Sequence, residues 1–346
     1  MTTTLAYFRW PLTFTVLGLI LSFWLGHATT GTLAGALSFL AIGAVLAVLE
    51  ISLSFDNAIV NANKLKDMTP VWRQRFLTWG ILIAVFGMRI VFPLAVVSIA
   101  GEISPWQALK LAAVRPEQYA QVMHEAHTSI AAFGGTFLML VALSYFIDQE
   151  KEIDWVRTVE TRLRACGSVR GMEIAAVLIL ALVFTAALPD HQSDDFLFAA
   201  VCGLVTFVGV ELLGQLLDKA EDTRNLAASG GFGAFLYLEV LDASFSFDGV
   251  IGAFALTQNL FLIAIGLGIG AFYVRSMTIM LVEKGTLAEF RYLEHGAFYS
   301  ILVLSFIMYV QSLLHVPEVL TGLIGAVLIG LALWSSIRHN RREARG

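Results

Sequence analysis

Two versions of one short motif decide the fold: EISLSFDN at residues 50–57 and DASFSFDG at residues 242–249. A shift of 192 positions places acid on acid at the first and seventh positions of the motif and serine on serine at the third and fifth. Each version lies inside an apolar run that is long enough to cross a bilayer. Carboxylates in such runs are energetically costly, so the repeated pair predicts a functional site within a membrane.

The composition of the whole chain also indicates a membrane protein. Of its 346 residues, 58% are hydrophobic and only 14% are charged, whereas soluble domains carry about 25% charged residues. The formal net charge is −5, and no basic face alternates with aromatic residues, which argues against a nucleic-acid-binding protein. No phosphate-binding glycine loop, zinc-protease motif or nucleophile elbow occurs, so the chain is not expected to be an enzyme.

Windows of about 20 apolar residues predict ten membrane-spanning helices. The first is interpreted as a retained helix rather than a signal peptide, because its apolar core is long and no small-x-small cleavage pattern follows it. The predicted fold class is therefore all-α and polytopic. The ten windows are 11–27, 33–61, 76–100, 128–147, 172–189, 196–217, 231–257, 259–283, 296–315 and 317–337.

Lysine and arginine residues in the connections predict the orientation. Of the 22 basic residues, 18 lie in the two termini and the even-numbered connections, and only Lys110 and Arg115 lie on the opposite side. The remaining two, Arg89 and Arg275, fall within predicted helices. The chain is therefore predicted to lie in the cytoplasmic (inner) membrane, with both termini in the cytoplasm.

Ten helices divide into two halves of five, and an odd number per half inserts the second half upside down relative to the first. Each motif then lies in the second helix of its half, and Arg89 and Arg275 lie in the third helices. Two inverted-topology halves are thus predicted within one integral membrane domain. Along the chain we divide them at the charged inner connection. Residues 1–171 hold the first four helices and this connection, and residues 172–346 hold the remaining helices with the second motif.

The motif residues do not all face one way on a regular helix. Glu50, Ser54 and Asn57 share one face, whereas Asp56 points about 120° away from them. The second motif has the same mismatch at Asp248. For both acids of a motif to face one site, each motif helix must be distorted or broken near Ser-Phe-Asp, and the turn-prone pairs Asp-Asn and Asp-Gly permit this. Broken helices that bind cations near the membrane midplane are common in transporters.

The candidate ligands are all oxygen donors. Each acid costs about 2.5–3.5 kcal/mol at the membrane centre, and Arg89 and Arg275 can neutralise two of them through ion pairs or act in gating. The remaining charge requires a cation, water or protons, and oxygen ligands favour Mn²⁺, Ca²⁺ or Mg²⁺ over Zn²⁺ or Cu⁺. Asn61 is a weaker candidate ligand. His124 and His127 are candidate ligands of a separate metal site on the outer side. The predicted metal-ligand set is Glu50, Ser54, Asp56, Asn57, Glu239, Asp242, Ser246 and Asp248.

The two motifs resemble those of the TerC family of integral membrane proteins, within the LysE transporter superfamily. Residues 50–57 match that family's E-x-x-L-S-x-D-N signature, and residues 239–248 match its E-x-[ST]-D-x-x-F-[AS]-x-D pattern. Leu241 replaces the usual Ser or Thr, and Gly249 replaces a frequent Ser. The resemblance covers residues from about 33 to 315. It implies metal-ion transport, chiefly Mn²⁺ efflux across the cytoplasmic membrane, or delivery of metal to exported proteins.

Three functions are compatible with these residues. The leading hypothesis is a Mn²⁺ exporter that works by alternating access at a carboxylate-rich intramembrane site. A second is a membrane scaffold or metal-delivery partner of the protein-export machinery, in which the metal is structural. A third is an intramembrane aspartyl protease with Asp56 and Asp248 as its dyad. The surplus of acids argues against the third, as does the lack of an aspartate in the GLGIG run at residues 266–270.

Overall fold

The structure is a computed structural model, and it describes residues 4–66, 68–100, 102–169, 171–222, 231–314 and 316–343. Within these ranges the chain is helical and contains no β-strand, which confirms the all-α class. One segment, Ile83–Val91, is a π-helix. The α-helices in chain order are α1 (Thr4–Tyr7), α2 (Arg9–Thr30), α3 (Leu33–Leu53), α4 (Phe55–Lys66), α5 (Pro70–Leu82), α6 (Phe92–Ala100), α7 (Pro105–Val114), α8 (Pro116–Glu125), α9 (His127–Ile147), α10 (Arg157–Cys166), α11 (Met172–Ala187), α12 (Asp190–Asp222), α13 (Phe232–Leu256), α14 (Leu260–Glu283), α15 (Thr286–Glu289), α16 (Leu293–Gln311) and α17 (Glu318–Glu343).

Helices occur at all ten predicted positions. Within the described ranges, seven are long and apolar enough to cross a membrane, and they are α2, α3, α9, α12, α14, α16 and α17. Helix α11 is apolar but has only 16 residues, and the third predicted span is divided among α5, the π-helix and α6. Helix α13 has 25 residues and carries Glu239, Asp242 and Asp248. The chain is therefore a multi-pass membrane protein.

The helix of the first motif is interrupted at Ser54. Helix α3 ends at Leu53 and α4 begins at Phe55, and Ser54 between them has φ −100° and ψ 18°. Two residues later, the Asp56 carboxylate accepts the backbone N–H of Asn57 at 2.8 Å. Such local bonds between side chain and backbone compete with the helical hydrogen-bond ladder. The predicted distortion is confirmed for this motif.

The helix of the second motif is continuous. Helix α13 runs without interruption through residues 242–249, so the predicted break is wrong for this copy. The Ser244 hydroxyl donates to the Val240 carbonyl at 3.0 Å, which is a bond to the preceding turn of the same helix. The turn propensity of Asp-Gly is a weak preference, and the helix continues through both residues.

The chain forms two compact units. Unit 1 contains Met1–Phe55, Gln74–His127 and Phe245–Met280. Unit 2 contains Asp56–Arg73, Thr128–Ser244 and Leu281–Gly346. Each unit therefore combines segments from both halves of the sequence, and the chain passes between units inside both motifs. The inverted relation of the two halves stays a prediction.

In unit 1, glycines allow helices to pack closely around α2. A Cβ atom at Gly26 would lie 2.7 Å from the carbonyl oxygen of Gly35 on α3, so the two helices touch through their backbones. Phe14 of α2 stacks on Phe272 of α14, with ring centroids 3.8 Å apart. Close contact through small residues is typical of helix packing in membranes.

In unit 2, α16 is held between neighbouring helices. Gly296 lies against α17, because a Cβ there would be 2.6 Å from the Cβ of Ala332. On another face, the hydroxyls of Tyr309 and Thr136 of α9 lie 2.6 Å apart. These contacts fix the helix that carries Ser300, a residue of the candidate site.

Candidate functional site

The predicted site residues are buried. Every one whose side chain the structure describes is at most 9% exposed. The side chain of Asp248 lies outside the described part of the chain. The buried set comprises Glu50, Ser54, Asp56, Asn57, Arg89, Glu239, Asp242, Ser246 and Arg275.

Glu50 forms a buried ion pair with Arg89 in unit 1. The Arg89 Nη2 atom lies 2.6 Å from Glu50 Oε1. Glu50 occupies the last turn of α3, where the helix dipole disfavours a negative charge, so the arginine supplies the compensating cation. Arg89 belongs to the π-helix Ile83–Val91. π-helical turns are rare and concentrate at functional sites, and nothing in the residue pattern signals this backbone.

The two motifs touch in unit 1, at Glu50 and Gly249. A Cβ atom on Gly249 would lie 2.9 Å from Glu50 Oε2, so the carboxylate lies directly over the glycine. Gly270 of α14 makes room for the stem of the same side chain, because a Cβ there would overlap Glu50 Cγ. Gly249 therefore contributes space for the acid of the other motif.

Arg275, the second predicted arginine, has different surroundings from Arg89. Its guanidinium carbon lies 3.9 Å from the centroid of the Phe76 ring, which is a cation–π geometry. Arg275 is 5% exposed. The two arginines match in sequence, and Arg89 forms an ion pair with a motif acid, Glu50.

Asp56 begins the polar set of unit 2. It lies in the first turn of α4, where the positive end of the helix dipole favours an anion. Its Oδ1 accepts the backbone N–H of Asn57, and its Oδ2 accepts the Ser300 hydroxyl, both at 2.8 Å. Ser300 was absent from the predicted ligand set, because a single serine in an apolar helix has no spacing that distinguishes it.

A second contact between the motifs lies in unit 2. The side-chain amide of Asn61 donates to Asp242 Oδ1 at 2.8 Å. Within the described residues, the amide oxygens of Asn61 and Asn57 are buried and have no hydrogen-bond donor. Glu239, one turn before Asp242 on α13, is also buried. Among the described residues, unit 2 therefore holds two buried amide oxygens without a donor beside the carboxylate of Asp242.

The two aspartates of this set, Asp56 and Asp242, lack a basic neighbour among the described residues. No basic side chain of the described ranges lies within 4 Å of Asp56 or Asp242. A buried carboxylate without a counter-charge is costly, so it must be protonated or meet a cation. In this respect Asp242 differs from Glu50, its counterpart in the first motif.

The predicted acids whose side chains the structure describes do not form one compact metal centre. In the part of the chain that the structure describes, no group of three or more His, Cys, Asp or Glu side chains is arranged to hold a metal ion. Glu50, Asp56 and Asp242 instead each have a donor, namely Arg89, Ser300 and Asn61 respectively. The rings of His124 and His127 lie 6.3 Å apart, and they belong to no such group either.

Residues 55–343 match a family model described as "Protein of unknown function (DUF475)". The chain belongs to the DUF475 family. Comparison with curated proteins and with solved structures finds no match to this DUF475 chain. The family match includes the second motif and the Asp56 end of the first motif. It does not address the TerC resemblance, which stays a prediction.

A cavity of about 480 Å³ borders the motif helices of the DUF475 chain in unit 2. Val60 of α4 and Tyr237 of α13 line it. In the chain, Val60 directly precedes Asn61, and Tyr237 comes two residues before Glu239. Lys64, Asp148 and Glu211 place charges on its wall. The cavity therefore offers space for water and ions beside the helices that carry the unit 2 oxygens.

The DUF475 chain also holds a buried carboxylate away from the motifs. Glu160 of α10 is fully buried, and it accepts hydrogen bonds from Lys151 Nζ at 2.7 Å and from the backbone N–H groups of Trp155 and Val156. His295 Nε2 of α16 lies 3.3 Å away. Burial alone raises the pKa of Glu160, but hydrogen bonds from His295, Lys151 and Val156 outweigh it and lower the pKa to about 2. The charged inner connection is thus held against α16 by buried polar contacts.

Proposed function

We propose that this DUF475 protein transports a divalent metal cation, with Mn²⁺ as the cargo that it exports from the cytoplasm. The polar set of unit 2 carries the proposal. Asp56 and Asp242 are buried carboxylates without a basic neighbour among the described residues. Asn57 and Asn61 present buried amide oxygens that lack donors there. One divalent cation would supply the missing positive charge and satisfy the amide oxygens.

The donor chemistry defines the class of cation. Carboxylate, amide and hydroxyl oxygens bind hard cations, namely Mn²⁺, Mg²⁺ and Ca²⁺. The thiolate and imidazole ligands that favour zinc and copper are not part of the proposed set. The choice of Mn²⁺ within this class rests on the resemblance of the motifs to those of the TerC family.

The hydrogen bonds of the two acids suit a cargo that binds and leaves. Ser300 and Asn61 each donate to one carboxylate oxygen. A cation that enters the set would displace these donors, and the donors would reoccupy the oxygens when it leaves. Because a buried acceptor is costly only when it has no partner, this exchange keeps the acids satisfied in both states. Alternating access of the motif helices to the two membrane sides completes the proposed mechanism.

The proposed setting is the cytoplasmic membrane, with both termini inside. Export of a divalent cation against an inside-negative potential costs about 4.6 kcal/mol per 100 mV, because each elementary charge contributes about 2.3 kcal/mol. We propose that protons return on the carboxylates that the cation vacates. Exchange of two protons for one divalent cation moves no net charge, so the membrane potential would not oppose it.

Proteoliposomes test the proposal. The full chain is reconstituted with a Mn²⁺-quenched dye and a pH-sensitive dye inside, and Mn²⁺ is added outside. Wild-type protein is expected to admit Mn²⁺ and release protons, and Asp242→Asn is expected to reduce the initial rate at least tenfold. Asp195→Asn, which removes an exposed carboxylate of α12, is the matched control and should keep the wild-type rate.

The same preparation separates transport from the structural-metal alternative. Mn²⁺ movement no faster than in protein-free vesicles, with wild-type protein that is folded, would exclude the transporter. If Mn²⁺ then still raised the thermal unfolding midpoint, the metal would be structural, as expected for a partner of the export machinery. Mn²⁺ movement without proton movement would remove only the proposed coupling.

A further inference from the structure

One exposed face of α17 changes its chemistry along the helix. Four aliphatic residues come first, a tryptophan follows, and three arginines complete the face. The aliphatic residues and the tryptophan are 47–58% exposed. At a rise of 1.5 Å per residue, the stretch from 320 to 334 is about 21 Å long. In chain order the face consists of Leu320, Leu323, Val327, Leu331, Trp334, Arg338, Arg341 and Arg342.

This order corresponds to depth in a bilayer. Aliphatic side chains suit the hydrocarbon region, tryptophan is enriched at the interface, and arginines suit the level of the headgroups. The opposite face of α17 is packed in unit 2, since Ala332 and Ser336 are fully buried and Ser336 Oγ accepts the backbone N–H of Tyr292 at 3.0 Å. The rotation of α17 is thus fixed, with the graded face outward.

The arginines at the end of this face pair with no carboxylate of the described residues. Among the described residues, no Asp or Glu lies within 4 Å of Arg338, Arg341 or Arg342. The neighbouring acid, Glu343, is 2.9 Å from His339 Nε2 and 3.9 Å from a guanidinium nitrogen of Arg291. It is therefore engaged elsewhere, and the three arginines present uncompensated positive charge.

A cavity of about 450 Å³ lies among these residues, lined by Trp334, Ile337, Arg338, Arg341 and Arg342. The guanidinium of Arg338 lies 5.5 Å from the Trp334 ring centroid, so the aromatic and basic parts of the lining adjoin. We propose that this cavity binds the headgroup of an anionic phospholipid. The arginines hold the phosphate, and the acyl chains follow the exposed aliphatic residues of α17 toward Leu320.

The aliphatic part of the face favours a phospholipid over free phosphate as the ligand of this cavity. Arginine forks recognise phosphate oxygens in either ligand, but only a lipid also covers the apolar surface that continues from Trp334. A cluster of basic residues directly beyond a membrane span is the usual position for anionic lipid recognition. The proposal does not depend on the transport activity.

Native mass spectrometry of the purified full chain tests the site by titration with phosphatidylglycerol or phosphatidylcholine. We expect tighter binding of phosphatidylglycerol. In Arg341→Gln/Arg342→Gln its Kd should rise about 30-fold, which is the expected loss for two arginines at an anionic surface. Binding of phosphatidylcholine should not change. The matched control, Arg157→Gln/Arg162→Gln, removes two exposed arginines of α10 and should leave both affinities unchanged.

Three results would overturn the proposal. The first is an unchanged Kd for phosphatidylglycerol in the Arg341/Arg342 variant, and the second is an equal loss in the α10 control. The third is competition by inorganic phosphate at the concentration at which the lipid itself binds, because it would assign the cavity to free phosphate. Unfolding midpoints in lipid-free detergent verify that the variants are folded. Arg341→Gln alone, with an expected rise of about fivefold, replaces the double variant if that protein is unstable.

Discussion

The side-chain amide of Asn61 donates to the carboxylate of Asp242 at 2.8 Å, and it thereby joins the helix of one motif to the helix of the other. In unit 1 the corresponding contact is Glu50 over Gly249. In both contacts the first acid of one motif lies near the end of the other motif. Glu50 lies against Gly249, the last residue of the second motif, and Asp242 accepts from Asn61, four residues after the first motif ends. Each unit thus contains one contact between the two motifs.

Asn61→Leu tests the contact in unit 2. The change removes the amide donor from Asp242 Oδ1, and a buried acceptor that loses its donor typically costs about 1–3 kcal/mol. We expect the free energy of unfolding to fall by this amount in denaturant titrations in mixed micelles. Asn63→Leu, two residues along the same helix and on the wall of the cavity, is the control and should change it by less than about 0.5 kcal/mol. Equal effects of the two changes would contradict the assignment.

The Glu50–Arg89 ion pair predicts a strong coupling between two substitutions. Arg89→Met leaves a buried carboxylate without its cation, and loss of one partner of a buried pair costs about 3–5 kcal/mol. In Glu50→Gln/Arg89→Met neither charge remains, so most of that loss should be recovered. A double-mutant cycle on unfolding free energies measures the coupling. Additive effects of the single changes would show that the pair is not energetically linked.

Gly249→Ala is expected to displace the Glu50 side chain. The added methyl would lie 2.9 Å from Glu50 Oε2, and overpacking of this kind costs about 1–3 kcal/mol. Gly330→Ala is the matched control, because a Cβ there meets nothing within 4 Å. The control should stabilise the protein by up to about 1 kcal/mol through helix propensity. If Gly249→Ala stabilised it as much, the close approach of Glu50 would be refuted.

The Glu160 cluster predicts a pH-dependent stability. Because its folded-state pKa is lowered from 4.5 to about 2, Glu160 contributes its full stability above about pH 5. That contribution is lost as the pH falls through the folded pKa. The unfolding midpoints of wild type and Glu160→Gln should thus differ most near neutral pH and converge toward pH 2. Glu150→Gln, at an exposed position of the same connection, should follow the wild type throughout. A difference that did not change with pH would contradict this assignment.

Hydrophobicity predicted the helices, because whether an apolar run is buried in a membrane depends on its length and composition more than on the identity of each residue. The predicted ligand set includes residues of both motifs, and in the structure Glu50 of the first lies against Gly249 of the second. The continuity of α13 was not predictable from Asp-Gly, since a local turn preference is weak and does not by itself end a helix.

Other features of the site depend on partners remote in sequence. Ser300 becomes recognisable only when α16 lies beside α4, and its hydroxyl then reaches Asp56. Glu160 was one acid among many in a charged connection, and its burial depends on Lys151 and on His295 from another helix. The π-helix around Arg89 has no residue signature at all.

The close approach of Glu50 to Gly249 makes the two motif copies chemically different from each other. Two copies of a motif are interchangeable only if each makes the same contacts with the other. Here the first copy has a carboxylate paired with Arg89, and the second copy has a glycine where that carboxylate lies. Asp242 of the second copy instead accepts a hydrogen bond from the neutral amide of Asn61. The two motifs are thus not equivalent, and exchange of one for the other within this chain should not give a working protein.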